Sequence, residues 1–439
     1  MKWIMKVTVI GSGYVGTTTA AVLAALGHHV IGADVDSAKV KKLSAGILPF
    51  VEPGLDKMLN DNNTRGTLNF TDQIKEAIQA SDILFIAVGT PSLEDGTADL
   101  KYLRSVADAI AASINDYKVI VIKSTVPIGT NRWLSDYLEK KISDPTLFDV
   151  ISNPEFLREG HAVYDSLNPD RIIIGGNSQG AITIIKKLYH QLNSKYVICD
   201  WETAELIKYA SNAYLAAKIS FINEIAQIAD KTGADILQVA YGVGLDSRIG
   251  AEFLKSGIGY GGSCFPKDVK ALISTADLIG VKTHILKEIE SVNEAMPDVY
   301  LAKLAASLKK KPWTISILGL TFKPETDDQR ESPAIKIVNK LLPACKEIRI
   351  LDPTIQSNLQ TPWPHDSKVK VCQTIEETLA RTDAAILCTA WDTFTGIDWN
   401  KAKDFMKNPV LLDGRNLYDP NIMKAAGITY LALGRGNQT

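Results

Sequence analysis

Residues 6–16, KVTVIGSGYVG, constrain the fold of this chain more than any other stretch. A short apolar run leads into glycines at 11, 13 and 16, and TTTAAVLAALG follows without a break. This pattern predicts a strand, a tight turn and a helix whose first backbone N–H groups face whatever lies over the turn. A second run, HHVIGAD, ends on Asp34, where an acid accepts hydrogen bonds from ribose hydroxyls. An acid there repels a 2′-phosphate, so Gly11, Gly13, Gly16 and Asp34 predict a site for NAD rather than NADP. A lone glycine motif would carry much less; strand, helix and acid together make the prediction.

The same alternation continues at DILFIAVGT, KVIVIKST (118–125), FDVISNPEF (148–156) and DRIIIGG (170–176), which predicts a parallel sheet with helices on both faces. Short unbroken Val/Ile runs suit buried parallel strands. From Trp201 the period changes to helical for about 30 residues, until Gly233 stops it. Such a helix is on the order of 45 Å long. Part of its apolar surface is therefore expected to pack on a second copy, as a homodimer. Helical character runs on to about Leu308, and strands resume at TISILGL, EIRILD, KVKVC, DAAILCTA and PVLLDG. The expected fold is α/β: two doubly wound Rossmann-like domains joined by a central helical domain with a long helix. The boundaries are placed at 1–200, 201–308 and 309–439.

A length of 439 residues agrees with two or three domains. A net charge of −2, with Lys and Arg spread along the chain, leaves no basic footprint for nucleic acid. No apolar run reaches the roughly 18 residues that span a bilayer. The start passes straight into the glycine motif without a cleavage site, so a cytoplasmic protein with no membrane partner is expected. Five widely spaced cysteines, with no CxxC pair and no histidine cluster beside them, predict reduced thiols and no metal site.

Three segments carry chemistry. In SNPEFLREG, Glu155 and Glu159 are four apart and fit one face of a helical turn, although a solvated helix start also tolerates two acids. In ELIKYASNAY, Lys208 and Asn212 project side by side from the long helix and offer donors to an oxygen gaining negative charge. A snorkelling lysine beside a surface amide is the competing reading. In FLKSGIGYGGSCFPKD, Pro266 fits the first position of a helix, which sets Cys264 just ahead of its N-terminus and Asp268 in its first turn. The helix dipole and Lys267 favour thiolate, and the glycines leave room for a substrate against the backbone. Cys199, Cys345, Cys372 and Cys388 lie in or beside apolar runs and read as inert.

These motifs, with PFVEPGL, VGTPS, KSTVPIGT, GLTFKPETDDQRESP and the late LDGR, resemble the UDP-glucose 6-dehydrogenases of the UDP-glucose/GDP-mannose dehydrogenase family over nearly the whole chain. The resemblance implies an NAD-dependent four-electron oxidation of UDP-glucose to UDP-glucuronate, a step of nucleotide-sugar and polysaccharide biosynthesis. A Cys264 thiohemiacetal and thioester would be intermediates. It assigns Glu155 to assisting thioester hydrolysis, Lys208 and Asn212 to the oxyanions and Asp268 to proton transfer or water positioning, and counts Thr125 among the catalytic residues. On the NAD side it places Gly11, Gly13, Tyr14, Val15, Gly16, Asp34, Lys39, Val88, Gly89, Thr90, Thr125, Glu159, Lys267 and Arg330. On the UDP-sugar side it places Glu155, Phe156, Leu157, Lys208, Asn212, Phe253, Leu254, Lys255, Ser256, Gly257, Tyr260, Gly261, Cys264, Phe322, Lys323 and Arg415. It sends Arg248 to a neighbouring subunit's substrate. Ser263 and Phe265 favour glucose over GDP-mannose or a UDP-N-acetylhexosamine. Residues before Lys6 and after Leu433 match nothing in the family pattern. A β-hydroxyacid dehydrogenase would need neither the thiol nor the second α/β domain. A silent NAD-binding regulator would need none of Cys264, Lys208 and Glu155.

Overall fold

The computed structural model describes residues 3–93, 95–308 and 311–436; the expected boundary at residue 309 and the tail from residue 437 lie outside the described residues. The chain forms two compact units, Met1–Ser211 with Lys270–Val281, and Asn212–Val269 with Lys282–Thr439.

The first unit is built on eight strands: β1 (Lys6–Ile10), β2 (His29–Ala33), β3 (Leu68–Thr71), β4 (Ile83–Ile86), β5 (Lys118–Ile122), β6 (Phe148–Ser152), β7 (Arg171–Gly175) and β8 (Lys195–Cys199). Their order is β3-β2-β1-β4-β5-β6-β7-β8. The first six follow the dinucleotide-binding order, which reverses between β1 and β4 and leaves a crevice at the strands' carboxyl ends. Alternate side chains serve opposite faces. Val7, Val9, Phe85 and Val121 pack with Ala20, Leu23 and Ala24 of the helix Tyr14–Ala25. Leu84, Ile86, Ile120 and Ile122 pack with Leu103, Ile110, Leu134 and Leu138. Full burial of each such side chain contributes about 1.5–3 kcal/mol.

The sheet is not parallel throughout, as the strand pattern predicts. β7 meets β6 antiparallel through Ser152 and Gly175, and β8 pairs parallel with β7. After β6 the chain runs irregularly from residue 153 to 158 and forms only the short helix Ala162–Leu167. It makes no full helical crossover, so β7 starts from the end of the sheet at which β6 stops. Short β3, LNFT, lacks the apolar run that reveals a strand in sequence, whereas β8 carries one in KYVIC and is largely exposed.

The second unit holds a six-stranded parallel sheet of β9 (Trp313–Leu318), β10 (Cys345–Leu351), β11 (Val369–Val371), β12 (Ala384–Leu387), β13 (Val410–Asp413) and β14 (Thr429–Leu431). The order β11-β10-β9-β12-β13-β14 repeats that of the first six strands of the first unit. Ile315, Ile317, Ile348 and Ile350 share a core with Ile222 and Ala226 of the long helix and with Met296, Tyr300 and Leu304 of the helix His284–Ser307. The long helix runs Trp201–Thr232, and Gly233 ends it in the left-handed conformation at φ +80°. The fold is therefore two doubly wound α/β domains with a helical region between them in sequence.

Candidate active site

In the first unit, Gly11 ends β1 at φ +98°, and a Cβ on Gly16 would lie 1.7 Å from the Gly11 carbonyl oxygen. Those two glycines allow the turn to close. Gly13 and Gly89 differ, because a Cβ on either meets nothing within 4 Å. The helix starts at Tyr14 with Gly13 as its N-cap and no side-chain cap, and Val15 is half-buried in its first turn. Asp34 accepts the Ser12 N–H at 2.7 Å and the Lys39 ammonium at 2.9 Å through Oδ2, and the Asp36 N–H through Oδ1. Burial pushes its carboxyl up, but these donors outweigh burial and hold it below the usual range. At the ends of β4 and β5, Ser124 donates to the Val88 carbonyl at 2.7 Å and Thr90 to the Thr125 carbonyl at 2.8 Å. These bonds bring Val88, Gly89, Thr90 and Thr125 to the same edge of the sheet.

Glu155 and Glu159 do not share a helical turn. Residues 153–158 are irregular, because Pro154 biases Asn153 to an extended conformation and Gly160 turns left-handed at φ +78°. Both acids are buried, which removes the solvated alternative. Glu155 pairs through Oε1 with Lys208 at 2.8 Å and accepts the Leu157 N–H through Oε2 at 2.5 Å. Burial raises its carboxyl, yet Lys208, the Leu157 N–H and Lys123 together hold it below the ordinary range. Phe156 lies under the Lys208 ammonium at 5.3 Å and the Arg171 guanidinium at 3.8 Å. Lys208 is buried on the long helix, so it is no snorkelling surface residue.

In the second unit, Asn212, one turn beyond Lys208 on that helix, is buried as well and donates its amide to Asp268 Oδ2 at 2.6 Å. Lys267 takes Asp268 Oδ1 at 2.6 Å. Cys264 immediately precedes the helix Phe265–Leu278, and its carbonyl accepts the Asp268 N–H at 2.8 Å. Pro266 is therefore the second helical residue, not the first. The thiol lies 3.6 Å from the Ser263 hydroxyl.

The glycines before Cys264 serve packing within the unit. A Cβ on Gly257 would come within 2.7 Å of the Gly414 carbonyl, and one on Gly261 within 2.4 Å of that of Glu331. The loop is hydrogen-bonded along its length: the Gly257 N–H to Asn223, the Ile258 N–H to Gly414, the Tyr260 N–H to Asn293 and the Gly262 N–H to Arg330. Protein atoms thus occupy the place that a Cβ on Gly257 or Gly261 would take. Phe253 sits at φ +64°, a strained conformation for a bulky residue, with its ring 6.0 Å from that of Phe265. Tyr260 meets Phe265 edge-on at 6.0 Å. Leu254 and Ser256 are buried and Lys255 is exposed.

Arg415 donates to the carbonyls of Cys388, Gly259 and Phe322, which fixes its guanidinium at the carboxyl ends of β9, β12 and β13. Lys323 lies over the Phe322 ring at 5.4 Å. Arg330 and Arg248 are exposed and fork onto Asp328 and Asp246. Burial pushes the Cys345 and Cys388 thiols up to about 12 and raises those of Cys199 and Cys372. Those thiols stay protonated and inert.

Three family profiles match in order: the NAD binding domain of the UDP-glucose/GDP-mannose dehydrogenase family at residues 5–193, its central domain at 202–295 and its UDP binding domain at 316–420. A UDP-glucose 6-dehydrogenase of Bacillus subtilis is 42% identical over 98% of this chain and 98% of its own. The chain belongs to the UDP-glucose/GDP-mannose dehydrogenase family. Among solved structures, a UDP-glucose dehydrogenase from Pyrobaculum islandicum superposes with a TM-score of 0.90 at 35% identity, covering 99% of this chain and 98% of that one. A UDP-D-ManNAc dehydrogenase from Pyrococcus horikoshii superposes at 0.87 with 28% identity, covering 99% and 100%. The protein is an NAD-dependent oxidoreductase with a nucleotide-sugar ligand.

The residues present fit NAD. Open space over Gly13 and Gly89, an uncapped helix start and an ionised Asp34 form the cradle a dinucleotide needs. Sequence reasoning missed Lys123 and Asn153, which bond to each other beside Glu155, and Glu52, which accepts the Gly160 and Ala162 N–H groups and the Tyr14 hydroxyl. A lysine closing an otherwise apolar strand, as in KVIVIKST, was the available signal for the first.

Proposed function

We propose that this chain oxidises the primary hydroxyl of UDP-glucose to the carboxylate of UDP-glucuronate, holding the aldehyde-level intermediate on Cys264. The setting of that thiol carries the proposal. It stands at a helix N-terminus, which favours thiolate, one turn from an Asp268 held by Asn212 and Lys267. Conversion of an alcohol to an acid releases two hydrides in succession, and NAD, exchanged between the two steps, would accept one each time. Cys264 adds to the aldehyde and holds it as a thiohemiacetal; loss of the second hydride and of the hydroxyl proton turns this into a thioester, which water cleaves to the carboxylate and the free thiol. Glu155, kept ionised by its buried donors, serves as base for that water, with Thr125 helping to place it. Lys208 and the second amide N–H of Asn212 stabilise the oxyanions. Asp268 handles protons beside the thiol. Arg415 and Lys323 attract the diphosphate.

The names of the Bacillus subtilis and Pyrobaculum islandicum relatives favour glucose, and GDP-mannose and UDP-N-acetylhexosamines are the competitors. The segments 1–200, 201–308 and 309–439 are taken as cofactor, dimerisation and UDP-sugar regions, in keeping with the matched segments. No helix among the described residues is long and apolar enough to cross a membrane, and a cytoplasmic site of action is part of this proposal. So is a homodimer. Tyr214, Phe221 and Ile228, at seven-residue intervals on the long helix, are 65%, 53% and 55% exposed, and Tyr241 and Leu245, on the next helix and at its end, are exposed too. Arg248, close beyond them, is the residue offered to the neighbouring subunit.

NADH absorbance with each nucleotide sugar tests the reading. Two NADH released per UDP-glucose, with slower use of the competitors, are expected. One or none, or faster use of a competitor, overturns it.

A further inference from the structure

The motif PFVEPGL, at residues 49–55, has no part in the oxidation as set out above. Pro53 biases Glu52 to an extended backbone, and Gly54 turns left-handed at φ +79° into the helix Leu55–Arg65. That helix is fixed within the first unit: Leu55 and Leu59 are fully buried, and Asn62 donates to the Ala21 carbonyl at 2.8 Å. Ala21 belongs to the helix Tyr14–Ala25, which opens from the glycine turn. At the start of this second helix, Phe50 packs on the Tyr14 ring at 5.1 Å, and Glu52, only 4% exposed, accepts the Tyr14 hydroxyl. Glu52 reaches a third segment as well. Its Oε2 accepts the Gly160 N–H at 2.6 Å and its Oε1 the Ala162 N–H at 2.8 Å, while the Tyr14 oxygen shares the Gly160 N–H at 3.0 Å. One buried carboxylate thus joins the first residue of the nucleotide helix to the backbone directly after Glu159.

We propose that Glu52 is a positioning residue for NAD, which acts through Tyr14 and the Gly160 N–H to hold the start of that helix and the Glu159 segment in one register. Burial and the carboxylates of Glu52 and Glu159 push the Tyr14 hydroxyl up, so it stays protonated and donates. Backbone N–H groups at a helix start recognise a pyrophosphate only where they converge on it. Directed bonds from a buried carboxylate fix such a helix start more narrowly than apolar contact does. A Glu52 that served folding alone would change the melting temperature and leave the cofactor's affinity where it was.

This inference rests on the NAD cradle and on the proposed placement of Glu159, and the experiment separates it from the oxidation. The NAD dissociation constant is read by calorimetric titration, well below the melting temperature, for the wild type, Glu52→Gln, Tyr14→Phe and the double variant. The KM values for NAD and UDP-glucose follow from NADH absorbance. Glutamine keeps the size of the side chain but turns an NH2 toward donors, so a buried N–H or O–H loses its acceptor. Glu52→Gln is expected to raise the dissociation constant and KM of NAD about tenfold and to leave the KM of UDP-glucose in place. Tyr14→Phe should act in the same direction and more weakly, and the loss in the double variant should be less than the sum of the two. An NAD affinity in Glu52→Gln equal to that of the wild type, whatever its melting temperature, overturns the inference. Losses that add in the double variant overturn it too, because Glu52 would then act apart from Tyr14. Should Glu52→Gln not fold, Glu52→Asp, which draws the carboxylate back by one methylene, decides: weaker NAD binding supports the inference and unchanged binding overturns it. A wild type that binds no NAD overturns the cradle and this inference together. One that binds NAD without oxidising UDP-glucose overturns the oxidation alone, and the titrations still decide the part played by Glu52.

Discussion

Glu155 and Lys208 form an ion pair of 2.8 Å with side chains only 5% and 4% exposed, although 53 positions separate them along the chain. A buried pair contributes little net stability when intact, but removing one partner strands the other charge. Lys208→Met is expected to cost about 3–5 kcal/mol, seen as a lower melting temperature, and to abolish turnover. Adding Glu155→Gln to that variant should restore much of the stability and none of the activity. A double variant that melts no higher than Lys208→Met would show that packing, not the stranded charge, causes the loss.

Cys264→Ser is expected to block NADH formation and leave NAD affinity unchanged, because the thiol stands outside the glycine turn. Asp268→Asn keeps the shape and removes the charge that Lys267 and Asn212 hold, so kcat should fall by at least about 100-fold. Titration of each variant with NAD by fluorescence provides the control. Steady production of glucuronate by Cys264→Ser would refute the thioester route.

His28 predicts a pH-dependent stability. It is fully buried, accepts the Met5 N–H at Nδ1 and meets the Leu188 carbonyl at Nε2, so the neutral ring is the form that fits. Burial lowers its pKa below the ordinary value near 6.5. The unfolded chain therefore takes up the proton first, and stability present above pH about 6.5 is lost as pH falls toward the depressed folded value. His28→Gln, which keeps one donor and one acceptor, should flatten this dependence between pH 7.5 and 5.5, as read from melting temperatures. Parallel curves for the two proteins would remove His28 as the cause.

Phe221 is at the middle of the exposed stripe on the long helix. Phe221→Asp places a charge in the proposed contact between copies and should convert a dimer into a monomer by sedimentation velocity, with melting of the separate chain little changed. An unchanged sedimentation coefficient would move the contact elsewhere.

The glycine turn, Asp34, the long helix and the helix start after Cys264 were legible because each depends on neighbours within a few positions. Backbone recognition of a pyrophosphate, a 3.6-residue period and a proline near a helix N-terminus are local physics. The antiparallel β7 was not legible, since a strand's direction depends on how the connection before it travels. The glycine-rich loop was legible as unusual, but its packing was not: the atoms that exclude a Cβ belong to Gly414, Glu331 and Phe322, far along the chain.

Residue type and short spacing alone thus specified the NAD cradle, the candidate nucleophile and the alternation of strands and helices. Packing alone decided that Glu155 is buried against Lys208, that Asp268 is divided between Asn212 and Lys267, and that Lys123 bonds to Asn153. Charge states in a site depend on desolvation and on partners brought from distant segments, and both come into being only when helix and sheet close on one another.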